Sequence, residues 1–244
     1  MSARPVSVPP VSVPPVSVPP GTVLLSGIVG STAYGLAHAG SDVDRLGLFA
    51  APTERFHGLH RPAESQVTTA PDRTLHEAAK WCRLALGCNP TASELVWLPD
   101  DLYEVRTPLG EELIGIRRSF LSARAVRNAY LGYATQQFRK LRTRDTSDPA
   151  SRARAAKHAR HLVRLLDQAV RLHEAGHNLV RLPDPERVRE LGERIADDPD
   201  RAERLLTAAA DRLDRPGVLP ERPDERPADA WLRRVRTAHW TPAA

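Results

Sequence analysis

The hydrophobic period of this chain changes part-way along, and that change constrains the fold more than any other feature. Over residues 22–29 a continuous apolar, β-rich run reads as a buried strand that stops at Gly30-Ser31. A second run, 42–50, starts polar and turns apolar, again as a strand, and 64–69 offers a weaker third. Thr74-x-x-Glu77 has the spacing of a capping box ahead of Ala78, Trp81, Cys82, Ala85 and Leu86 at helical intervals, with Gly87 and Pro90 as stops. Beyond Pro99 the period is helical. Long helices are expected over 119–142 and 151–176, separated by a polar loop at 143–149, and shorter ones over 185–196, 200–213 and 228–239. The layout predicts an α+β chain, with a small mixed-sheet core over 21–108 and an all-helical domain over 109–244.

Ahead of this, Pro-Val-Ser-Val-Pro occurs three times between Pro5 and Pro19. Proline at that density denies both helix and sheet their hydrogen bonds, so residues 1–20 are expected to form an extended arm outside the fold. The chain is 41% apolar and 27% charged, in the range of ordinary globular proteins. It contains no apolar run of about 18 residues and no secretory pattern at its start. The expectation is a cytoplasmic protein with no membrane association. Cys82 and Cys88, with five residues between them, match no zinc spacing and are expected to be core thiols.

Charge is unevenly placed. From Arg117 to His173 there are fourteen Arg or Lys against three acids, a local balance of +11 in a chain whose net charge is +5. Such a segment suits an anionic partner, a triphosphate or a nucleic acid, although arginine-rich solvated helix faces would give the same count. Lysine occurs only at positions 80, 140 and 157.

The chemistry-bearing stretch is Gly30-Ser31, then Ser41-Asp42-Val43-Asp44. On a strand, residues i and i+2 share a face, so Asp42 and Asp44 would stand side by side. Paired carboxylates suit Mg²⁺, which takes one or two of them together with substrate phosphates. Glycine lets backbone approach a phosphate, and the Ser31 hydroxyl and helix-start N–H groups can donate to it. In the helical half, Tyr133, Gln137 and Lys140 share one helix face, and Lys157, His161 and Arg164 share another. Both stripes offer cations and donors that suit an anionic ligand such as a triphosphate; for His161 an interhelical structural role stays open.

Gly30-Ser31-x-Ala33-Tyr34-Gly35-Leu36-Ala37 followed by Ser41-Asp42-x-Asp44 resembles the signature of the DNA polymerase beta nucleotidyltransferase superfamily. It is similar in particular to the branch of YcgL-like and RNA-repair-associated nucleotidyltransferases. Asp72, Lys80-Trp81, Asn89-Pro90, Glu94-Leu95 and the stretch from Leu219 to Asp224 fit that branch in order, so the likeness runs from about Thr22 to the final helix. Arg45, two residues before Gly47 rather than beside it, departs from the pattern.

The resemblance implies a polymerase-beta-type core, two Mg²⁺ ions with Mn²⁺ as a possible substitute, and a third catalytic carboxylate on an adjacent strand. Asp72 is the expected third acid; Glu77, which the capping box already employs, and Glu64 are the alternatives. The implied activity is transfer of a nucleoside monophosphate from an NTP, ATP being the expected donor, to an acceptor hydroxyl with loss of pyrophosphate. The acceptor could be an RNA end, a small molecule or a protein. Two rivals stay open: a catalytically silent nucleotide- or RNA-binding module, and an antitoxin-like enzyme that modifies a partner protein.

Overall fold

The computed structural model describes residues 21–143 and 148–241. The expected arm at 1–20 lies outside the described residues, as does the middle of the expected 143–149 loop. Strand β1 (Thr22–Ile28) is buried along most of its length, because its apolar run leaves no polar face for water. It is followed at once by a one-turn helix, α1 (Gly30–Tyr34). Strand β2 (Arg45–Ala50), polar-fronted β3 (Ser65–Thr69), β4 (Asp72–Glu77) and short β5 (Tyr103–Arg106) complete a five-stranded sheet in the order β3-β4-β2-β1-β5. The β2–β4 pair is parallel and the others are antiparallel, so the sheet is mixed.

Two expectations need correction here. The second strand begins at Arg45, not Asp42, so the two acids lie in the segment that leads into it. Thr74 is not a helix cap: it sits inside β4, paired with both Leu46 and Val67. Glu77 itself is the cap of α2 (Ala78–Leu86), its side chain accepting from the Ala79 N–H at 2.8 Å. Strands β4 and β5 and two short helices, α3 (Pro90–Glu94) and α4 (Pro108–Gly115), were not expected from the sequence pattern.

The long helices lie close to where the period placed them. Helix α5 (Ala123–Arg142) is capped by Ser122, whose hydroxyl accepts from Ala125 N–H. Helix α6 (Pro149–Ala175) starts with Asp148 as cap and proline in its first turn, and ends at Gly176 with φ +61°, the left-handed stop that glycine adopts without strain. Helices α7 (Pro185–Asp197) and α8 (Asp200–Leu213) pack on α6. Helix α9 (Glu225–Ala238) returns to the sheet half, where the fully buried Trp231 donates its indole N–H to Leu109 O at 2.8 Å. One continuous cluster of buried apolar side chains therefore runs from Leu24 to Val235. Cys82 and Cys88 are buried free thiols within it, as expected. Among the described residues no helix is long and apolar enough to cross a membrane.

Candidate active site

The sheet brings the two halves of the Gly-Ser and Asp-x-Asp motif into contact. At the end of β1 the Val29 N–H donates to Asp44 O at 2.9 Å, tying the acid-bearing segment to the entrance of α1. Gly30 has φ +68°, and a Cβ placed on it would fall 2.2 Å from Asp44 Oδ2. Only glycine allows the backbone and that carboxylate to be so close. Asp44 is partly buried and Asp42 exposed.

Parallel pairing places Asp72, the expected third acid, on the strand next to the Asp44 segment. Arg45 is in register with Arg73, so Asp44 and Asp72 immediately precede paired residues on neighbouring strands. The Asp44 carboxyl is held above its ordinary pKa, first by burial, then by the negative charges of Asp72 and Asp42, while Lys157 opposes the rise. The two alternative acids are engaged elsewhere. Glu77 is buried, caps α2 and pairs with Arg236 at 2.7 Å; Glu64 pairs with Arg83 on the surface. Arg45, the departure from the family pattern, pairs with Glu104 at 2.8 Å.

Among the described residues no three His, Cys, Asp or Glu side chains form a ready-made metal cage. The donor chemistry nevertheless fits a hard divalent cation. Asp42 and Asp72 both lie within electrostatic reach of Asp44, with Lys157 in opposition, and Mg²⁺ commonly completes its shell with water and substrate phosphate rather than with protein.

Gly30, Ser31, Asp42 and Asp44 line one side of a cleft of about 520 Å³, and Gln137, Lys157 and His161 line the other. That volume is in the range of small-molecule sites. The cleft joins residues from α1, the 36–44 segment, α5 and α6. His38 and Ser41 also line it, as do His158 and Arg160. Ser41 belongs to the Ser41-Asp42-x-Asp44 motif, whereas His38, His158 and Arg160 were not singled out in the sequence; the available signal was His158-x-x-His161, two imidazoles one turn apart. His158 Nδ1 lies 2.9 Å from Gln137 Oε1, linking α6 to α5.

Other expected contacts fall outside the cleft lining. Asp72 sits beside Asp44 but does not line the cavity. Lys140 is exposed, within electrostatic reach of His161. Tyr133 accepts a hydrogen bond from Asn89 Nδ2 at 2.8 Å, and Asn89 also caps α3, so the Asn89-Pro90 motif has a structural role. A second cavity of about 450 Å³, bounded by α6, α7 and α8, contains none of the expected residues.

Arg164 requires a change of role. Expected on the nucleotide-facing stripe, it is only 2% exposed and forms an ion pair with the fully buried Glu94. Its guanidinium also donates to Gln168 Oε1 at 2.7 Å and lies 4.1 Å from the centre of the Tyr34 ring, while Tyr34 donates its hydroxyl to Glu94 Oε2 at 2.7 Å. Burial raises the Glu94 carboxyl above its ordinary pKa, with Arg164 as the main opposing influence. The helix stripe correctly placed Arg164 toward the cleft, but α3 lies beneath it and supplies a carboxylate that takes its charge.

Residues 14–214 of the 244 match the model of the RNA repair pathway DNA polymerase beta family. No curated protein matches the chain. Among solved structures it is similar to a nucleotidyltransferase-like protein from Exiguobacterium sibiricum 255-15, at 14% identity and a TM-score of 0.31, over 89% of this chain and 72% of that one. On the family match, which spans both the sheet and the helices around the cleft, this chain belongs to the RNA repair pathway DNA polymerase beta family and is a nucleotidyltransferase in the broad sense.

Proposed function

We propose that the chain transfers a nucleoside monophosphate from an NTP, with ATP as donor, to the hydroxyl at an RNA end. The observation that carries this reading is the opposed walls of one cleft: Asp44 against Gly30 on one side, Lys157 and His161 on the other, with Lys157 close enough to offset the charge on Asp44. The acceptor oxygen bonds to the α-phosphorus, the bond from that phosphorus to the bridging oxygen breaks, and pyrophosphate leaves with the electron pair. Gly30 and Ser31 hold the β- and γ-phosphates, Lys157 and His161 face them with positive charge and an N–H donor, and Lys140 adds positive charge from outside the cleft lining. Asp72, beside Asp44 at the strand ends, takes the proton from the acceptor hydroxyl. Two Mg²⁺ ions, or Mn²⁺ in their place, held by Asp42, Asp44 and Asp72, would supply stabilisation of charge on the attacking and leaving oxygens. In this division of labour residues 21–108 contribute the acids and the phosphate loop, and 109–244 the opposing wall.

The test offers each of the four α-labelled NTPs with Mg²⁺ to the full chain, together with RNA, lysate protein or a metabolite pool. Labelled RNA is expected, and Asp42→Ala or Asp44→Ala should abolish it while leaving the circular dichroism spectrum unchanged. Label on protein or on small molecules would redirect the acceptor. Saturable NTP binding without any labelled product, or full activity in either variant, would replace the enzyme with a binding module.

A further inference from the structure

Arg164 cannot be a hydrogen-bond acceptor, and this simple fact fixes the state of its neighbour. Its Nη2 lies 3.2 Å from His161 Nδ1, one helical turn earlier on α6. A guanidinium has only N–H groups to offer, so at this distance the imidazole Nδ1 must present its lone pair. The proton of the neutral ring is then on Nε2. Nothing among the described residues hydrogen-bonds to Nε2, which leaves it for the cleft that His161 lines.

The guanidinium is itself held from several sides. Nη1 reaches both Glu94 Oε1 and Gln168 Oε1, and the Tyr34 ring lies under the group. Tyr34 is the last residue of α1, the helix that opens with Gly30 and Ser31, and its hydroxyl completes the chain at Glu94 Oε2. The same buried cluster thus joins the phosphate-loop side of the cleft, through α1, to the opposite wall, through α6. His161 is surrounded by positive groups: Arg164, His158, Lys140 and Lys157 all disfavour a second ring proton, with burial the largest influence of all.

We propose that Arg164 is a positioning residue, anchored by Glu94 and Tyr34, which holds His161 as the neutral Nε2–H tautomer and so points one N–H donor at a phosphate oxygen of the bound nucleotide. His161 on this account is not the acid or base of the reaction. It acts as a fixed dipole beside the charge of Lys157, which lines the same cleft. This inference rests on the nucleotide-binding part of the proposed function, but its first measurement needs no nucleotide.

Full-length protein labelled with ¹⁵N-histidine is observed by two-bond ¹H–¹⁵N correlation at pH 7.5, and the His161 ring is assigned by its disappearance in His161→Gln. The expected pattern is that of a neutral Nε2–H ring. An Nδ1–H or doubly protonated pattern would overturn the proposal. In Arg164→Lys, whose single ammonium cannot reproduce the fork, the ring should become a mixture of tautomers and the KM for NTP should rise about tenfold with kcat changed by less than about threefold. Retention of both the wild-type tautomer and the wild-type KM would reduce Arg164 to a core ion pair and overturn the proposal.

Should Arg164→Lys fail to fold, two variants of His161 decide the matter. His161→Gln keeps an N–H donor and should bind NTP within about threefold of wild type, whereas His161→Leu, which keeps bulk alone, should weaken binding about tenfold or more. Equal affinities would refute the donor role. If the protein binds NTP but transfers nothing, the proposed reaction fails while the tautomer and the affinity difference stand. If transfer occurs and the tautomer is wrong, only this inference fails.

Discussion

Gly30 and Asp44 are packed so closely that a methyl group on the glycine would meet Oδ2 of the aspartate at 2.2 Å. Gly30 also has φ +68°, a conformation that costs an L-residue roughly 1–2 kcal/mol. Gly30→Ala is therefore expected to lose about that much stability in a urea titration. The displaced carboxylate should cost far more in function, about a hundredfold in kcat/KM, since misplacement of a reacting group by about 1 Å has effects of that size. Wild-type turnover in a stably folded Gly30→Ala would show that the close approach has no part in the chemistry.

The choice of third carboxylate can be made with a pair of conservative variants. Asp72→Asn, at an exposed strand end, should leave the melting temperature within a degree or two of wild type and reduce nucleotide transfer by about a hundredfold or more. Glu77→Gln should do the reverse. It removes a buried charge from the Arg236 pair, at a cost of roughly 1–3 kcal/mol, and the protein that remains folded should stay active. Exchange of the two outcomes would assign the role to Glu77.

His161 links stability to pH. Burial, and then the positive groups around it, push its pKa down to about 3, so between that value and about 6.5 the unfolded chain binds a proton that the folded chain does not. Stability conferred by the neutral ring is fully present above about 6.5 and is lost as pH falls through that window. Between pH 7.5 and 5.5 the wild type should lose roughly 1 kcal/mol more than His161→Gln in urea unfolding. Parallel losses in the two proteins would show that the ring is not held neutral.

Both thiols should be inert in the native protein. Burial, with the charge of Glu77 contributing at Cys82, pushes Cys82 up to about 12, and burial pushes Cys88 up to about 11. Thiolate is the reactive form, so a disulfide reagent at pH 8 should titrate neither cysteine in the folded chain and both after denaturation. Rapid reaction of either in the native state would mean that this part of the core opens easily.

Legibility in the sequence followed the range of the interactions. The helices from Ala123 to Ala238 were readable because their apolar stripes repeat over many turns and because Pro149, Gly176 and Pro185 punctuate them. Strand β4 was missed: Asp72 to Glu77 is six mostly polar residues running straight into a helix, and Thr74 and Glu77 happen to have capping-box spacing. Strand β5, only four residues long, exists through hydrogen bonds to β1, some 80 positions earlier. At the site, the structure brings Gly30, Ser31, Asp42, Asp44, Gln137, Lys157 and His161 around one cleft. Arg164 lines the same cleft, but Glu94 beneath it takes its charge, and a helix stripe cannot reveal that buried carboxylate.

The sequence by itself determined the long helices, the first strand and the membership of this chain in a nucleotidyltransferase family, since repeating apolar stripes and short motifs are set by residues a few positions apart. Only the tertiary structure decided that Asp72 stands beside Asp44, that Glu94 claims Arg164, and that burial and neighbouring cations disfavour charge on His161. Those properties depend on strand register, burial and ion pairing between residues 28 to 70 positions apart, or on the solvent that the surrounding helices exclude, and none of these is written in any local stretch of the chain.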